Sequence, residues 1–150
     1  MRVPSFQTRE ATPHDMDQLC NLASEALNAI HTERTIDPRP VLEQIMNSGD
    51  RTFVVVADNG RTLCGYAYAS YKWRAEFRGE MMDIVALFVE PDWRSKGVGR
   101  ALIMSLVENA RHRGIRRIRA EVHSGNFTIE RMLEANGFHP ERRTLWSFRL

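Results

Sequence analysis

Apolar residues recur at the spacing of amphipathic helices in two long stretches of the chain, with short apolar runs between and around them. The stretch 16–30 has this spacing and follows Thr12 and Pro13, which favour the start of a helix. The second stretch, 98–113, carries one continuous apolar stripe and is followed by Gly114, a residue that commonly ends a helix. Helices are therefore predicted over 16–30, 41–46, 98–113 and 127–136.

Strands are indicated by short runs of β-branched, aromatic and alternating apolar residues that are bounded by turn residues. Asn59-Gly60 is a strong hairpin signal between two such runs. The run 82–89 is almost entirely apolar, which is typical of a strand buried on both faces, and Pro91 ends it. Strands are predicted over 6–10, 52–57, 63–71, 82–89 and 116–123, with a final hairpin over 138–141 and 145–150. The interleaved helices and strands predict a mixed α/β fold.

The length and composition fit one globular unit. A chain of 150 residues is expected to form a single domain, residues 1–150, and its 43% hydrophobic residues exclude a wholly disordered protein. The longest apolar run, 84–89, is far shorter than the roughly 20 residues of a membrane helix, so no membrane partner is expected. The first residues lack the apolar core of a signal peptide, and Cys20 and Cys64 form no disulfide framework. We therefore predict a cytoplasmic protein with free thiols.

The charge is mildly positive, with a formal net charge of +2 and a sequence pI near 8.8. This balance suits a small anionic ligand better than a nucleic-acid duplex, so no nucleic-acid partner is predicted. A run of arginines between 111 and 119 leaves RNA binding as an alternative, with steep salt dependence as its signature. A solvated helix end beside a strand edge is the interpretation that we favour.

A glycine-containing loop joins the apolar strand to the longest helix. Its sequence, Arg94-Ser95-Lys96-Gly97-Val98-Gly99-Arg100, places two glycines and three basic residues at the start of that helix. Glycines allow close approach of the backbone to a ligand, and a helix N-terminus carries about half a positive charge. The spacing fits neither a P-loop nor a dinucleotide-binding fingerprint. We interpret the loop as a cradle for a phosphate or a pyrophosphate.

The segment from Val89 to Gly99 resembles the acetyl-CoA loop of the GCN5-related N-acetyltransferase (GNAT) family, whose pattern is Arg/Gln-x-x-Gly-x-Gly/Ala. Asn126, a short helix and then Gly137-Phe138 resemble the family's second signature. The resemblance implies a central, mostly antiparallel mixed sheet of six to seven strands with about four flanking helices. It also implies that the strands over 82–89 and 116–123 splay apart and leave a cleft for a thioester.

The resemblance further implies acetyl-CoA as the cosubstrate, no metal, and a homodimer such as the family commonly forms. The pyrophosphate would be held by backbone amides of the loop, the pantetheine arm by the end of the apolar strand as if it were an added strand, and its other side by the signature asparagine. These cofactor-binding residues are Leu87, Phe88, Val89, Arg94, Ser95, Lys96, Gly97, Val98, Gly99, Arg100 and Asn126.

Transfer to an amine needs a group that takes a proton, because an alkylammonium has a pKa of about 10.4 and attacks only when neutral. Glu121 is the first candidate for this base, since its place before Asn126 resembles that of a glutamate in ribosomal-protein N-terminal acetyltransferases. A solvated strand glutamate paired with Arg119 or His123 is the alternative. Asp83 is a second candidate, near the start of the apolar strand. Glu33 and Asp37, in the loop 31–40, could attract a cationic amine.

The general acid is where the sequence departs from the family, because the tyrosine that many members carry is replaced here by Leu133. Either another side chain donates the proton, with His123, Tyr66, Tyr68 and Tyr71 as candidates, or the thiolate leaves unaided. The sequence thus predicts an N-acetyltransferase that acts by direct attack in a ternary complex on a primary amine, of a small molecule or a protein. The alternative is a non-catalytic acyl-CoA-binding module.

Overall fold

In the computed structural model, which describes residues 5–30, 35–123 and 125–150, a five-stranded sheet is the central element. Its strands lie in chain order, antiparallel between the first four and parallel between the last two. The strands are β1 (Gln7–Glu10), β2 (Thr52–Asp58), β3 (Leu63–Arg74), β4 (Gly79–Val89) and β5 (Ile118–Ala120). The helices are α1 (Met16–Ile30), α2 (Arg39–Met46), α3 (Val98–His112) and α4 (Phe127–Ala135).

Two apolar clusters cover the two faces of this sheet. On one face, α3 packs Val98, Leu102 and Leu106 against the alanines and valines of β2 and β3. On the other face, α1 and α2 bury Leu19 and Leu42 against the sheet. Both cysteines are buried free thiols, Cys20 on this face and Cys64 on the α3 face. The predicted mixed α/β class, the mostly antiparallel sheet and the four helices are confirmed for the described residues. None of the described helices combines the length and apolar character of a membrane span.

Gly65 explains how closely α3 approaches the sheet. A Cβ at this position would lie 2.9 Å from the carbonyl oxygen of Phe88 and 3.1 Å from Cγ1 of Val98. Only glycine therefore lets the first turn of α3 pack directly over β3 beside the end of β4. This contact places the helix N-terminus next to the C-terminal end of β4.

The predicted six to seven strands are wrong for the described residues, which form five. The hairpin over 138–141 and 145–150 is absent, since this segment contains no strand and is exposed after Phe138. Ion pairs of Arg117 and Arg119 with Glu141 hold its beginning beside β5 at 3.3 Å, but no backbone ladder forms. The predicted strand over 116–123 shrinks to Ile118–Ala120, because β4 diverges beyond that point and leaves it without a neighbour.

An ion-pair network fixes the start of α1 on the first strand. The guanidinium of Arg9 lies 2.8 Å from a carboxylate oxygen of Asp15 and 3.0 Å from one of Asp58. Asp15 also accepts a 2.7 Å hydrogen bond from the amide of Thr12, which caps the short 3₁₀ turn before α1. Hydrogen bonding to Arg9 lowers the pKa of Asp15, with burial opposing it, so this carboxylate is ionised in the folded protein.

Candidate active site

A cleft opens where β4 and β5 separate. The two strands pair only from Met82↔Ile118 to Ile84↔Ala120. In the β3–β4 ladder, Tyr68 pairs with Ala86 and Ala69 with Ile84, so Val85 is a bulge without a partner. Because a bulge bends its strand, β4 turns away from β5 at the position where their pairing stops. The expected splaying of these two strands is therefore present, and its cause is the bulge at Val85.

The cleft has a volume of about 490 Å³ and extends from the gap between the strands to the underside of α1 and α2. One wall is Val85, Ala86 and Leu87, and the opposite wall is Glu121, Val122 and His123. From Val85 onward, no strand of the described residues neighbours the edge of β4 that faces the cleft, so the backbone polar groups of this edge are available to an extended ligand.

The loop before α3 has the backbone geometry of an anion site. Gly97 is the residue before the helix and has a left-handed φ of +85°, and Ser95 is also left-handed at +60°. The amide of Ala101 donates to the carbonyl of Gly97 at 3.0 Å, so the amides before it lack acceptors within the helix. A Cβ on Gly97 would meet no atom within 4 Å, which shows that this backbone faces open space. These amides, with the helix dipole, fit a phosphate or a pyrophosphate.

The basic side chains of the loop have different environments. Arg94 turns back to β4, where its Nε donates to the carbonyl of Val89 at 3.0 Å, and its guanidinium lies 5.7 Å from the ring centre of Phe88. Lys96 donates to the carbonyl of Asp92 at 2.5 Å, whereas Arg100 is exposed on the first turn of α3. Arg94 therefore stiffens the loop, and Arg100 points its charge to solvent.

The residues of β4 expected along the pantetheine arm would bind it through their backbone, and their side chains lie in different places. Leu87 and Asn126 line the cleft, whereas Phe88 packs under α1 and α2 and Val89 is buried in the core beneath α3. Asn126 is also the N-cap of α4, where its Oδ1 accepts from the amide of Ile129 at 3.4 Å. The second-signature asparagine thus has a structural role that places it at the cleft.

The two candidate bases lie in different places. Glu121 is exposed in the cleft wall, directly after β5. Asp83 does not line the cleft, and its carboxylate forms a 2.5 Å ion pair with Lys72 on β3. Arg119, an expected partner of Glu121, pairs instead with Glu76 and Glu141. Position favours Glu121 over Asp83 for proton transfer.

The four candidate acids are also separated by the fold. Tyr66 and Tyr68 line the cleft together with His123, whereas Tyr71 lies on the opposite face and donates to Asn109 of α3. Burial raises the pKa of Tyr66 and of Tyr68, so both phenols keep their protons at neutral pH. Leu133, in place of the family's tyrosine, is buried in the cleft wall and contributes only apolar surface.

The sequence did not indicate that α1 and α2 line the cleft, and from this part of the chain only two carboxylates of the loop 31–40 were expected near the acceptor. The wall formed by α1, α2 and the segment between them has the cleft-lining residues Ala23, Ala26, Leu27, Ile30, Ile36, Asp37, Pro38, Val41, Leu42 and Ile45. The sequence signal for this wall is that α1 and α2 carry more apolar side chains than one buried stripe requires. Of the two predicted amine-attracting residues, Asp37 lines this wall, and Glu33 lies outside the described residues.

Comparison with known proteins identifies the family. Residues 16–138 match the family model described as the Acetyltransferase (GNAT) family, which is most of the chain. The chain belongs to the GNAT family. The match includes the GNAT loop, the cleft walls and Gly137-Phe138, and it confirms the resemblance on which the predicted fold and enzyme class rest.

A curated GNAT relative is an uncharacterized N-acetyltransferase of Methanocaldococcus jannaschii, 26% identical over 118 residues. That match covers 76% of this chain and 52% of the relative, so the chain spans about half the length of the curated relative that it matches.

Solved structures share the fold. A protein named as a possible acetyltransferase from Clostridium difficile 630 superposes with a TM-score of 0.85, at 14% identity and 97% coverage of both chains. An aminoglycoside N-acetyltransferase solved in complex with CoA has a TM-score of 0.83 at 17% identity, covering 99% of this chain and 97% of its own. Among the described residues, no cluster of three or more His, Cys, Asp and Glu side chains could hold a metal ion.

Proposed function

We propose that this GNAT protein transfers the acetyl group of acetyl-CoA to a primary amine by direct attack in a ternary complex. The observation that carries the proposal is the gap between β4 and β5, which opens beside the N-terminus of α3 and its unpaired amides. The gap suits the thioester arm, the amides suit the pyrophosphate, and the two features are adjacent. The CoA complex of the aminoglycoside N-acetyltransferase with the same fold supports this assignment.

In the proposed binding mode, amides of Ser95 to Arg100 hold the pyrophosphate, and the side chain of Arg100 adds a full positive charge. The free edge of β4 near Leu87 binds the pantetheine arm as an added strand would, and Asn126 contacts it from the opposite wall. The acetyl group then lies between Val85 and Glu121, where the cleft reaches the apolar wall of α1 and α2.

In the proposed reaction, the amine nitrogen attacks the thioester carbonyl carbon and forms a tetrahedral intermediate. Glu121 takes the proton that converts the ammonium group into the attacking amine, directly or through a water molecule, and the nitrogen loses its second proton as the intermediate collapses. Backbone amides of the bulged segment of β4 stabilise the oxyanion. The C–S bond then breaks, the amide product forms, and the thiolate leaves with its electron pair. The thiolate, whose conjugate thiol has a pKa of about 8.5, takes the proton that the nitrogen loses, directly or through water.

The proposal is tested by incubating the purified protein with acetyl-CoA and a panel of primary amines, while free thiol is measured and products are weighed by mass spectrometry. We expect amine-dependent thiol release and a product heavier by one acetyl group. Absence of acetyl-CoA binding by calorimetry would contradict both the transfer reaction and the binding mode.

Glu121 and Asp83 are separated by a matched pair of variants. Glu121→Gln is expected to lower kcat by about 10² to 10⁴, the usual contribution of a general base, with little change in acetyl-CoA affinity. Asp83→Asn removes an ion pair with an exposed lysine outside the cleft, so its kcat should be close to that of the wild type. If Asp83→Asn loses most of its kcat while Glu121→Gln keeps the wild-type kcat, the base is Asp83 and not Glu121.

A second candidate function, non-catalytic acyl-CoA binding, is favoured by one observation. The family tyrosine is Leu133, which cannot donate a proton to the leaving thiolate. Such a module would be stabilised by CoA against thermal unfolding, while no amine would accelerate thiol release. The same thiol-release assay therefore distinguishes the two functions.

A further inference from the structure

The acceptor end of the cleft is apolar on nearly every side. It is enclosed by Leu27 and Ile30 of α1, Val41 of α2, and the rings of Tyr66 and Tyr68 on β3. The only carboxylates among the described residues that line the whole cleft are Asp37 and Glu121, and none of those lining residues is a lysine or an arginine.

Three aliphatic side chains at the cleft are exposed to solvent. Ile30, Val41 and Val85 are 46%, 57% and 50% exposed, and each comes from a different element that borders the cleft. Exposed aliphatic residues are unremarkable when scattered, but contiguous ones at the rim of a pocket mark a binding surface. An apolar ligand would cover them and gain the free energy of removing this surface from water.

The described part of the lining offers few groups that bind a polycation. A buried ammonium group needs a carboxylate or several hydrogen-bond acceptors, because its desolvation is costly. Glu121 is assigned to the reacting amine, which leaves Asp37 as the one other carboxylate among the described lining residues; its Oδ1 accepts a 3.0 Å hydrogen bond from the amide of Arg39, and its charge suffices for one further ammonium group at most. Further ammonium groups would lie against the side chains of Leu27 and Ile30.

We infer that the acceptor is a small primary amine with a single nitrogen on an apolar aryl or branched-alkyl body. This inference rests on the proposed function and names its substrate class. The amine lies at Glu121. The apolar body fills the space between Tyr68 and the rim, which consists of the exposed side chains of Ile30, Val41 and Val85. The class differs from the aminoglycosides named for some proteins with the same fold, which carry several amines on sugars.

The test compares kcat/KM for 2-phenylethylamine, spermidine and neamine at saturating acetyl-CoA, using the full chain. We expect 2-phenylethylamine to exceed both polycations by at least about tenfold, the scale of discrimination by an apolar pocket. A polycation that is used as well as 2-phenylethylamine would overturn the inference and leave acetyl transfer intact. If acetyl-CoA binds but no amine is acetylated, both the substrate class and the proposed acetyl transfer are overturned. If calorimetry shows no acetyl-CoA binding, the cofactor site on which both depend is overturned as well.

A matched pair of variants tests the rim itself. Val41→Asp is expected to lower kcat/KM for 2-phenylethylamine about tenfold, without changing acetyl-CoA affinity. Met104→Asp is the control, because Met104 is a 42% exposed aliphatic residue on α3 outside the cleft. Equal effects of the two variants would contradict the assignment of the rim. Ile30→Asp repeats the test on α1 if Val41→Asp does not fold.

Discussion

Gly97 and Gly114 lie just before and just after α3 and provide a controlled test of the anion cradle. Both have a left-handed backbone, with φ of +85° and +73°, and a Cβ on either would meet nothing within 4 Å. Alanine at either position therefore strains the backbone by a similar amount, about 1–2 kcal/mol. For a chain of this size, each kcal/mol lowers Tm by about 2–4 °C. We expect Gly97→Ala and Gly114→Ala to lose similar amounts of thermal stability.

The two substitutions should differ in their effect on the affinity for acetyl-CoA. Gly114 is roughly 25 Å from Gly97 along the helix, whereas the open space beside Gly97 is the proposed place of the pyrophosphate. A methyl group there would displace an amide–phosphate hydrogen bond, worth about 1.5–3 kcal/mol, or roughly 10- to 150-fold in Kd. Calorimetric titration with acetyl-CoA measures this directly. Equal affinity of Gly97→Ala and Gly114→Ala would refute the reasoning.

Two further predictions concern the framework of the site. Gly65→Ala should lower the free energy of unfolding by about 1–3 kcal/mol and weaken acetyl-CoA binding, because the new Cβ pushes α3 away from β4. Gly79→Ala, which meets no atom, should change neither unfolding free energy nor affinity in the same denaturation and calorimetry experiments. Asp15→Asn should lose about 2 kcal/mol of unfolding free energy at pH 7 by breaking the contact with Arg9. Folding lowers the pKa of Asp15 from 3.8, so the difference in unfolding free energy between wild type and variant should have its full size above pH 4 to 5. Urea titrations at lower pH should show a smaller difference. A difference that stays constant with pH would contradict the assignment.

The elements near the loop were predictable because their signals are local. An apolar strand, a glycine turn and an amphipathic stripe indicate β4, the loop and α3 without any information about the rest of the chain. The helix was predicted over 98–113 and is Val98–His112. Glu121 was named through the family resemblance and expected within the strand 116–123, and the sequence did not show whether its side chain faced the cleft or the solvent.

The parts that the sequence did not predict depend on partners far away along the chain. The length of β5 is set by the bulge at Val85 in another strand, and no feature of 116–123 reveals that bulge. The C-terminal hairpin was predicted from alternating residues, but a strand also needs a neighbour, and 138–150 forms side-chain contacts only at its beginning. By contrast, alternation along β3 could have separated Tyr66 and Tyr68 from Tyr71, because an odd spacing reverses the face.

A crystal structure of the protein with coenzyme A tests the central claim most directly. We predict the pyrophosphate within hydrogen-bond distance of the amides of Gly97, Val98 and Gly99, and the pantetheine arm along the free edge of β4 with its thiol near Glu121. Coenzyme A bound elsewhere, or a pantetheine arm outside the gap between β4 and β5, would contradict the account.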